Sequence, residues 1–126
     1  MSRAKPDIFM PFYGNEFWPS VDGHPDFVIL AYLRIIWHYW HHLSCAGFPN
    51  DEAYQRRIGR LFDDTQWHHA RGVIFGQYFK IDASGLWQQK RATEVWADTK
   101  KTMEARRNQT FAARKARHNK PNQHAL

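Results

Sequence analysis

Asn50-Asp51-Glu52-Ala53, then Trp67-His68-His69, then Leu86-Trp87-Gln88-Gln89-Lys90-Arg91 mark out residues 50–91, the stretch whose reading decides the fold. Its first part reads as a helix. Asn50 and Asp51 are both good N-caps, because a short polar side chain accepts from the free N–H groups of a first turn. Ala53, Tyr54, Ile58 and Leu61 then form a buried stripe, with Gln55, Arg56, Arg57 and Arg60 facing outward. Phe62 is expected to plug the turn. Asp63-Asp64-Thr65 caps a second helix, whose inner face is Trp67, Ala70, Ile74 and Tyr78. Gln66, His69, Arg71, Gly72 and Gln77 stay wholly or partly outside. After Tyr78 the period changes. Phe79-Lys80-Ile81 alternates, Asp82-Ala83-Ser84-Gly85 turns, and Leu86 to Lys90 returns as a second strand, which reads as a hairpin. Helix, turn, helix and hairpin in this order predict the back half of a winged helix-turn-helix, mainly α with a small β-hairpin.

Upstream, Pro25-Asp26 opens a long helix, since proline suits a first turn and Asp complements the dipole. Ile29, Tyr32, Leu33, Ile36, Trp37, Trp40 and Leu43 lie at helical spacing and predict its apolar face. Val28, Leu30, Ile35 and Tyr39 add apolar surface away from that face. Such girth predicts wrapping by the domain or a homodimer through residues 26–43. Gly47 is expected to cap its end in the left-handed region. Before it, Phe9 to Trp18 crowds aromatics without helical spacing, punctuated by Pro11, Gly14 and Pro19, and reads as an extended segment clasping the core. Downstream, residues 92–116 read as helical, with Val95, Trp96, Thr99 and Met103 on one stripe. Fraying is expected from Asn108.

Length and composition predict one domain, residues 9–107, between a flexible N-terminus (1–8) and a partly disordered basic tail (108–126). Residues 1–89 hold 8 Lys+Arg against 9 Asp+Glu, whereas residues 90–126 hold 10 against 3. The +6 net charge therefore sits downstream, and a basic segment on a near-neutral domain suggests an anionic partner. A solubilising tail is the plain alternative. No secretory signal is read, and Phe27 to Leu43 is too polar for a membrane span, carrying Arg34, His38, His41 and His42. A lone Cys45 excludes an internal disulfide. The expected setting is the cytoplasm of a bacterial host cell, away from membranes.

Met10-Pro11-Phe12-Tyr13, Ala31-Tyr32-Leu33-Arg34, Trp37-His38-Tyr39-Trp40, Pro49-Asn50-Asp51-Glu52, Trp67 and Trp87-Gln88-Gln89-Lys90-Arg91 together resemble the YdaU-like family. This bacterial and prophage domain is often found at the N-terminus of phage replication-type proteins. The resemblance spans roughly residues 9–107. It implies a winged helix, a phage or mobile-element setting and DNA binding, and it carries no catalytic residues across.

The chemistry points the same way. His38 and His42 share a helical face beside His41, but no acidic third ligand or His-Glu-x-x-His spacing accompanies them, so no metal or cofactor is predicted. Cys45 has no basic setting that would activate a thiol, and no catalytic residue is predicted. If the second helix enters a major groove, Gln66, His69 and Arg71 meet base edges. Asp63 and Asp64 would then stand close to phosphates. The hairpin offers Lys80, Gln88, Lys90 and Arg91. The tail offers Lys100, Lys101, Arg106, Arg107, Arg114, Lys115 and Arg117 to the backbone of duplex or single-stranded DNA. The reading from another class is a protein-interaction module that dimerises or docks on a host or phage protein.

Overall fold

A computed structural model describes residues 8–119. The expected flexibility of residues 1–7 and the fate of residues 120–126 lie outside the described residues. The architecture is mainly helical with one small two-stranded antiparallel sheet.

The long helix α2 (Asp26–His41) is the post around which the rest packs. Pro25 is its extended N-cap, and its carbonyl accepts from the Val28 and Ile29 amides. The buried face is Val28, Ala31, Tyr32, Ile35, Tyr39 and Trp40. This corrects the predicted face: Val28, Ile35 and Tyr39, expected to lie away from it, are at its centre, while Trp37 is exposed. In a helix with apolar residues almost all round, spacing alone does not choose the inner side. The neighbours choose it: α3 (Glu52–Gly59), whose Gly59 lies against Ala31 and Ile35, and α4 (Asp64–Val73) close on α2, while Tyr39 meets Phe79 and Gln88. Beyond α2, Ser44 and Cys45 take the left-handed conformation, and Gly47 has the expected positive φ, 142°, but lies past the His42 cap rather than forming it. Gly47 also permits close approach, since a Cβ there would stand 2.7 Å from Leu86 Cδ1.

Asp51 caps α3, accepting from the Ala53 and Tyr54 amides at 3.0 and 3.2 Å. Gln55 is not outward: it is fully buried, donating to Pro49 O at 2.9 Å and accepting from Arg71 Nε at 3.1 Å. A buried amide with both ends bonded is stable where an unpaired one would be costly. Ala53, predicted inward, is exposed in its place. Arg60 ends α3 with φ 59° and points outward. Phe62 does not plug the turn and stays 74 % exposed. Arg56 holds the turn instead, donating to the Leu61 and Phe62 carbonyls.

Asp63 caps α4 by accepting from the Gln66 amide at 2.9 Å. Trp67, Ala70 and Ile74 are buried as expected, and the helix widens into a π turn over Ile74–Tyr78. The hairpin follows with strands β1 (Lys80–Ile81) and β2 (Trp87–Gln88), paired Lys80 to Gln88 and Ile81 to Trp87. Asp82 closes its loop, accepting from Ser84 and Leu86 amides. On its other side Trp87 bridges Phe48, with reciprocal backbone bonds of 2.7 and 2.9 Å. The link between α2 and α3 thus adds one residue to the hairpin's edge.

The predicted extended N-terminal segment is in fact helical over α1 (Gly14–Val21). Pro19 is tolerated because it forgoes one amide bond in a helix fixed by other contacts. Phe17 stacks on Tyr32 at 6.0 Å, Val21 is buried, and Glu16 pairs with Arg91. The aromatic clasp is partial: Phe9, Phe12, Tyr13 and Trp18 are all exposed.

Finally α5 (Lys90–Asn119) runs 30 residues, about 45 Å at 1.5 Å per residue. Val95 and Thr99 are buried on the domain and Met103 is half-buried. From Glu104 to His118 every residue is exposed, yet the helix continues unbroken past the 107/108 boundary.

Candidate nucleic-acid interface

On α4, Gln66, His68 and His69 are all exposed, flanking the buried Trp67 and Ala70. His69 rests edgewise on Phe27 with ring centroids 5.8 Å apart. A Cβ added at Gly72 meets nothing within 4 Å, so the helix surface there is open to close approach. Arg71 stands apart from this group. It is half-buried and its Nε is spent on Gln55, which ties α4 to α3. Of the three residues expected to meet base edges, Gln66 and His69 are exposed, whereas Arg71 is a strut between helices.

The two aspartates at the front of α4 both have partners. Asp63 accepts the Gln66 amide through one oxygen, and Asp64 lies 2.8 Å from Arg56. That pair is exposed on the Asp64 side, at 82 % for its side chain, so its energetic weight is small. Its effect is local: it sets a cation beside the acidic tip.

The hairpin contributes less positive surface than its sequence promised. Lys80 and Lys90 are exposed. Gln88, by contrast, is occupied: its amide donates to Ala46 O and Asp82 Oδ2, and its carbonyl accepts from Tyr39 at 2.7 Å. Arg91 makes a two-pronged pair with Glu16, at 3.1 and 3.0 Å, and its guanidinium sits 5.5 Å from the Tyr13 ring. Bonds from Ser84, Gln88 and the Leu86 amide hold the Asp82 carboxyl down at about 2, so the hairpin tip carries a fixed negative charge. Sequence reasoning could not see that Arg91 and Glu16, so distant in the chain, meet.

The tail keeps its cations. Lys101, Arg106, Arg107, Arg114, Lys115 and Arg117 are exposed along α5, and Lys100 lies exposed over the Trp96 ring at 5.2 Å. Counting on from Trp96, Thr99 and Met103 in steps of three and four reaches Arg107, Thr110, Arg114 and Arg117, with Arg106 alongside. The face that packs on the domain thus becomes an arginine face where the helix projects beyond it.

Other chemistry is muted. Burial pushes the Cys45 thiol up to about 12, which keeps it protonated. His38 is bonded to the Tyr54 hydroxyl and stacks on His42 at 4.7 Å. Among the described residues no group of three or more His, Cys, Asp or Glu side chains could hold a metal ion. Nor is any described helix long and apolar enough to cross a membrane. A cluster the sequence reading passed over, Arg34, Arg57 and Arg60, gathers on α2 and α3. Its signal was present as Arg34 and Trp37 three apart on one helix and Arg57 and Arg60 three apart at the end of the next. No protein-family model, curated protein or solved structure matches the chain.

Proposed function

We propose that this is a winged helix-turn-helix protein of the YdaU-like, phage or mobile-element type that binds duplex DNA, in a setting such as replication. The observation that carries the reading is the Phe48–Trp87 bridge. It inserts a strand-like residue between α2 and α3, so the order is helix, bridging strand, helix, helix, hairpin. That order supports a winged helix more firmly than a helix pair with a loose hairpin would. In such a domain α4 enters the major groove, where Gln66 and His69 contact base edges. Lys80 and Lys90 contact the backbone beside it. The projecting part of α5 supplies most of the affinity through Arg106, Arg107, Arg114 and Arg117, with Lys100, Lys101 and Lys115 adding charge.

The test is a titration of labelled duplex with the full chain and with Gln66→Ala/His69→Ala and Arg106→Gln/Arg107→Gln/Arg114→Gln/Arg117→Gln variants. The first variant is expected to lose discrimination between duplex sequences with little loss of affinity for random duplex. The second is expected to lose affinity for all duplexes. Equal binding by all three proteins contradicts the assignment.

One observation favours a second reading, a protein-interaction module that dimerises through residues 26–43 or docks on a host or phage protein. Leu30 and Trp37 each leave 49 % of their surface exposed on the same side of α2. Sedimentation equilibrium distinguishes the dimer, which must dissociate when Leu30 is changed to Glu.

A further inference from the structure

At the edge of the seam between α2 and α3 lies chemistry that the duplex reading leaves unused. Arg34, Trp37 and His38 on α2, with Arg57 and Arg60 on α3 and its cap, surround an open depression of about 500 Å³. Leu33 and Ile58 supply apolar wall. None of the lining residues is acidic. Among the described residues no carboxylate pairs with Arg34, Arg57 or Arg60, whereas Arg56 and Arg91 each have one. Arg57 is oriented by the Tyr54 ring, 5.2 Å from its guanidinium. Like charges gathered around one depression without an anion repel one another, and an entering anion relieves that repulsion. The planar guanidinium fork matches phosphate geometry with two parallel donors.

Trp37 narrows the choice of ligand. It is half exposed at the rim, and its ring is steadied by His41 and His42 at centroid distances of 4.5 and 5.5 Å. A free inorganic anion has no use for that surface. A duplex keeps its base faces inside the stack and has none to offer. Unpaired nucleotides present both parts, a flat base and a phosphate on each side. Arginines along a backbone beside an aromatic platform are the recurrent means of holding single strands.

We propose that this depression takes one unpaired nucleotide of a single-stranded nucleic acid, its base against Trp37 and its flanking phosphates among Arg34, Arg57 and Arg60. The site involves neither the outer side of α4 nor the projecting arm, so it does not rest on the duplex reading. It gives the protein a grip on DNA that has been opened.

The test uses the full chain and a short labelled oligothymidine, with an abasic strand of the same length as control. Trp37→Ala is expected to weaken oligothymidine binding about fivefold or more, the usual worth of one stacked base. Trp37→Phe should retain more of the affinity than Trp37→Ala. Arg60→Gly removes a guanidinium at a position whose φ of 59° suits glycine, so its loss of binding cannot be laid to misfolding. Thermal melting checks the others. The abasic strand should bind wild type and Trp37→Ala equally. Gln66→Ala/His69→Ala should bind oligothymidine as wild type does, whether or not duplex is bound. The proposal is overturned if Trp37→Ala binds oligothymidine as tightly as wild type. It is also overturned if a polyglutamate peptide binds with the same Arg60 dependence and displaces the strand.

Discussion

Changing Tyr39 to Phe removes one oxygen from the joint between the core helix, the hairpin and the arm. Tyr39 is fully buried in α2. Its hydroxyl donates to Gln88 Oε1 at 2.7 Å, stands 2.7 Å from Thr93 Oγ1 and lies 3.2 Å from Cys45 O. The Gln89 amide approaches it at 3.4 Å. Burial raises the Tyr39 pKa, so it stays a protonated donor at neutral pH. A net hydrogen bond contributes about 1 kcal/mol, and a buried partner left unsatisfied costs about 1 kcal/mol or more besides. Tyr39→Phe should therefore cost about 2 kcal/mol, with no cavity because the ring remains. For a domain near 100 residues that is a fall in Tm of roughly 8–16 °C. Urea unfolding followed by circular dichroism gives the energy, and an unchanged m-value shows that the unfolded state has not changed. Hydrogen exchange should quicken at Gln89 and Thr93 while the Trp87 amide, bonded to Phe48, stays protected. A variant within about 0.5 kcal/mol of wild type, the range of an ordinary surface substitution, would refute the claim that this hydroxyl joins the three elements.

Other outcomes follow from the same contacts. The Asp82 carboxyl is held at about 2 against an ordinary 3.8, so it contributes stability above pH 4 that is lost as pH falls toward 2; Asp82→Asn should flatten that acid limb in unfolding midpoints taken across this range. Burial, then the neighbouring His42 and Arg57, lower His38 below 6.5, so the unfolded chain binds its proton first; stability should drop as pH falls below 6.5, and His38→Gln should reduce that slope. Glu16→Gln should leave the urea midpoint nearly unchanged, because the pair it breaks is half exposed, and should tighten duplex binding by freeing Arg91. Gln55→Leu should be far more damaging than its position on a polar-looking helix suggests, about 2–4 kcal/mol by urea unfolding, since it strands Pro49 O and the buried part of Arg71.

What could be read from the sequence was local. Asp51 and Asp63 cap the helices expected of them because capping involves amides two or three residues away. Trp67, Ala70 and Ile74 face inward because α4 is amphipathic enough for spacing to decide. The change of period after Tyr78 marked the hairpin, although its strands are short because Gln89 turns to bond the Ala92 amide and start α5. The misreadings concern partners remote in sequence. The inner face of α2 depends on which helices close on it. Gln55 looked like surface until Arg71 and Pro49 O came within reach. Gln88 and Arg91 looked like free contacts until Tyr39, Asp82 and Glu16 met them. Pro19 argued for an extended segment, and the stacking of Phe17 on Tyr32 prevailed. Among the cations proposed to meet DNA, the same physics moved weight from the hairpin to the arm. The arginine face of α5 follows from helical counting, but it matters only because the helix runs on beyond its last packed residue.

The central claim is that the arm grips phosphates while α4 reads. It is tested most directly by the salt dependence of duplex binding, for the full chain and for Arg106→Gln/Arg107→Gln/Arg114→Gln/Arg117→Gln. With about six phosphates engaged, log affinity should fall against log salt with a slope near −5, and losing four contacts should bring it to about −2. No binding at low salt, or the same slope in both proteins, would contradict it.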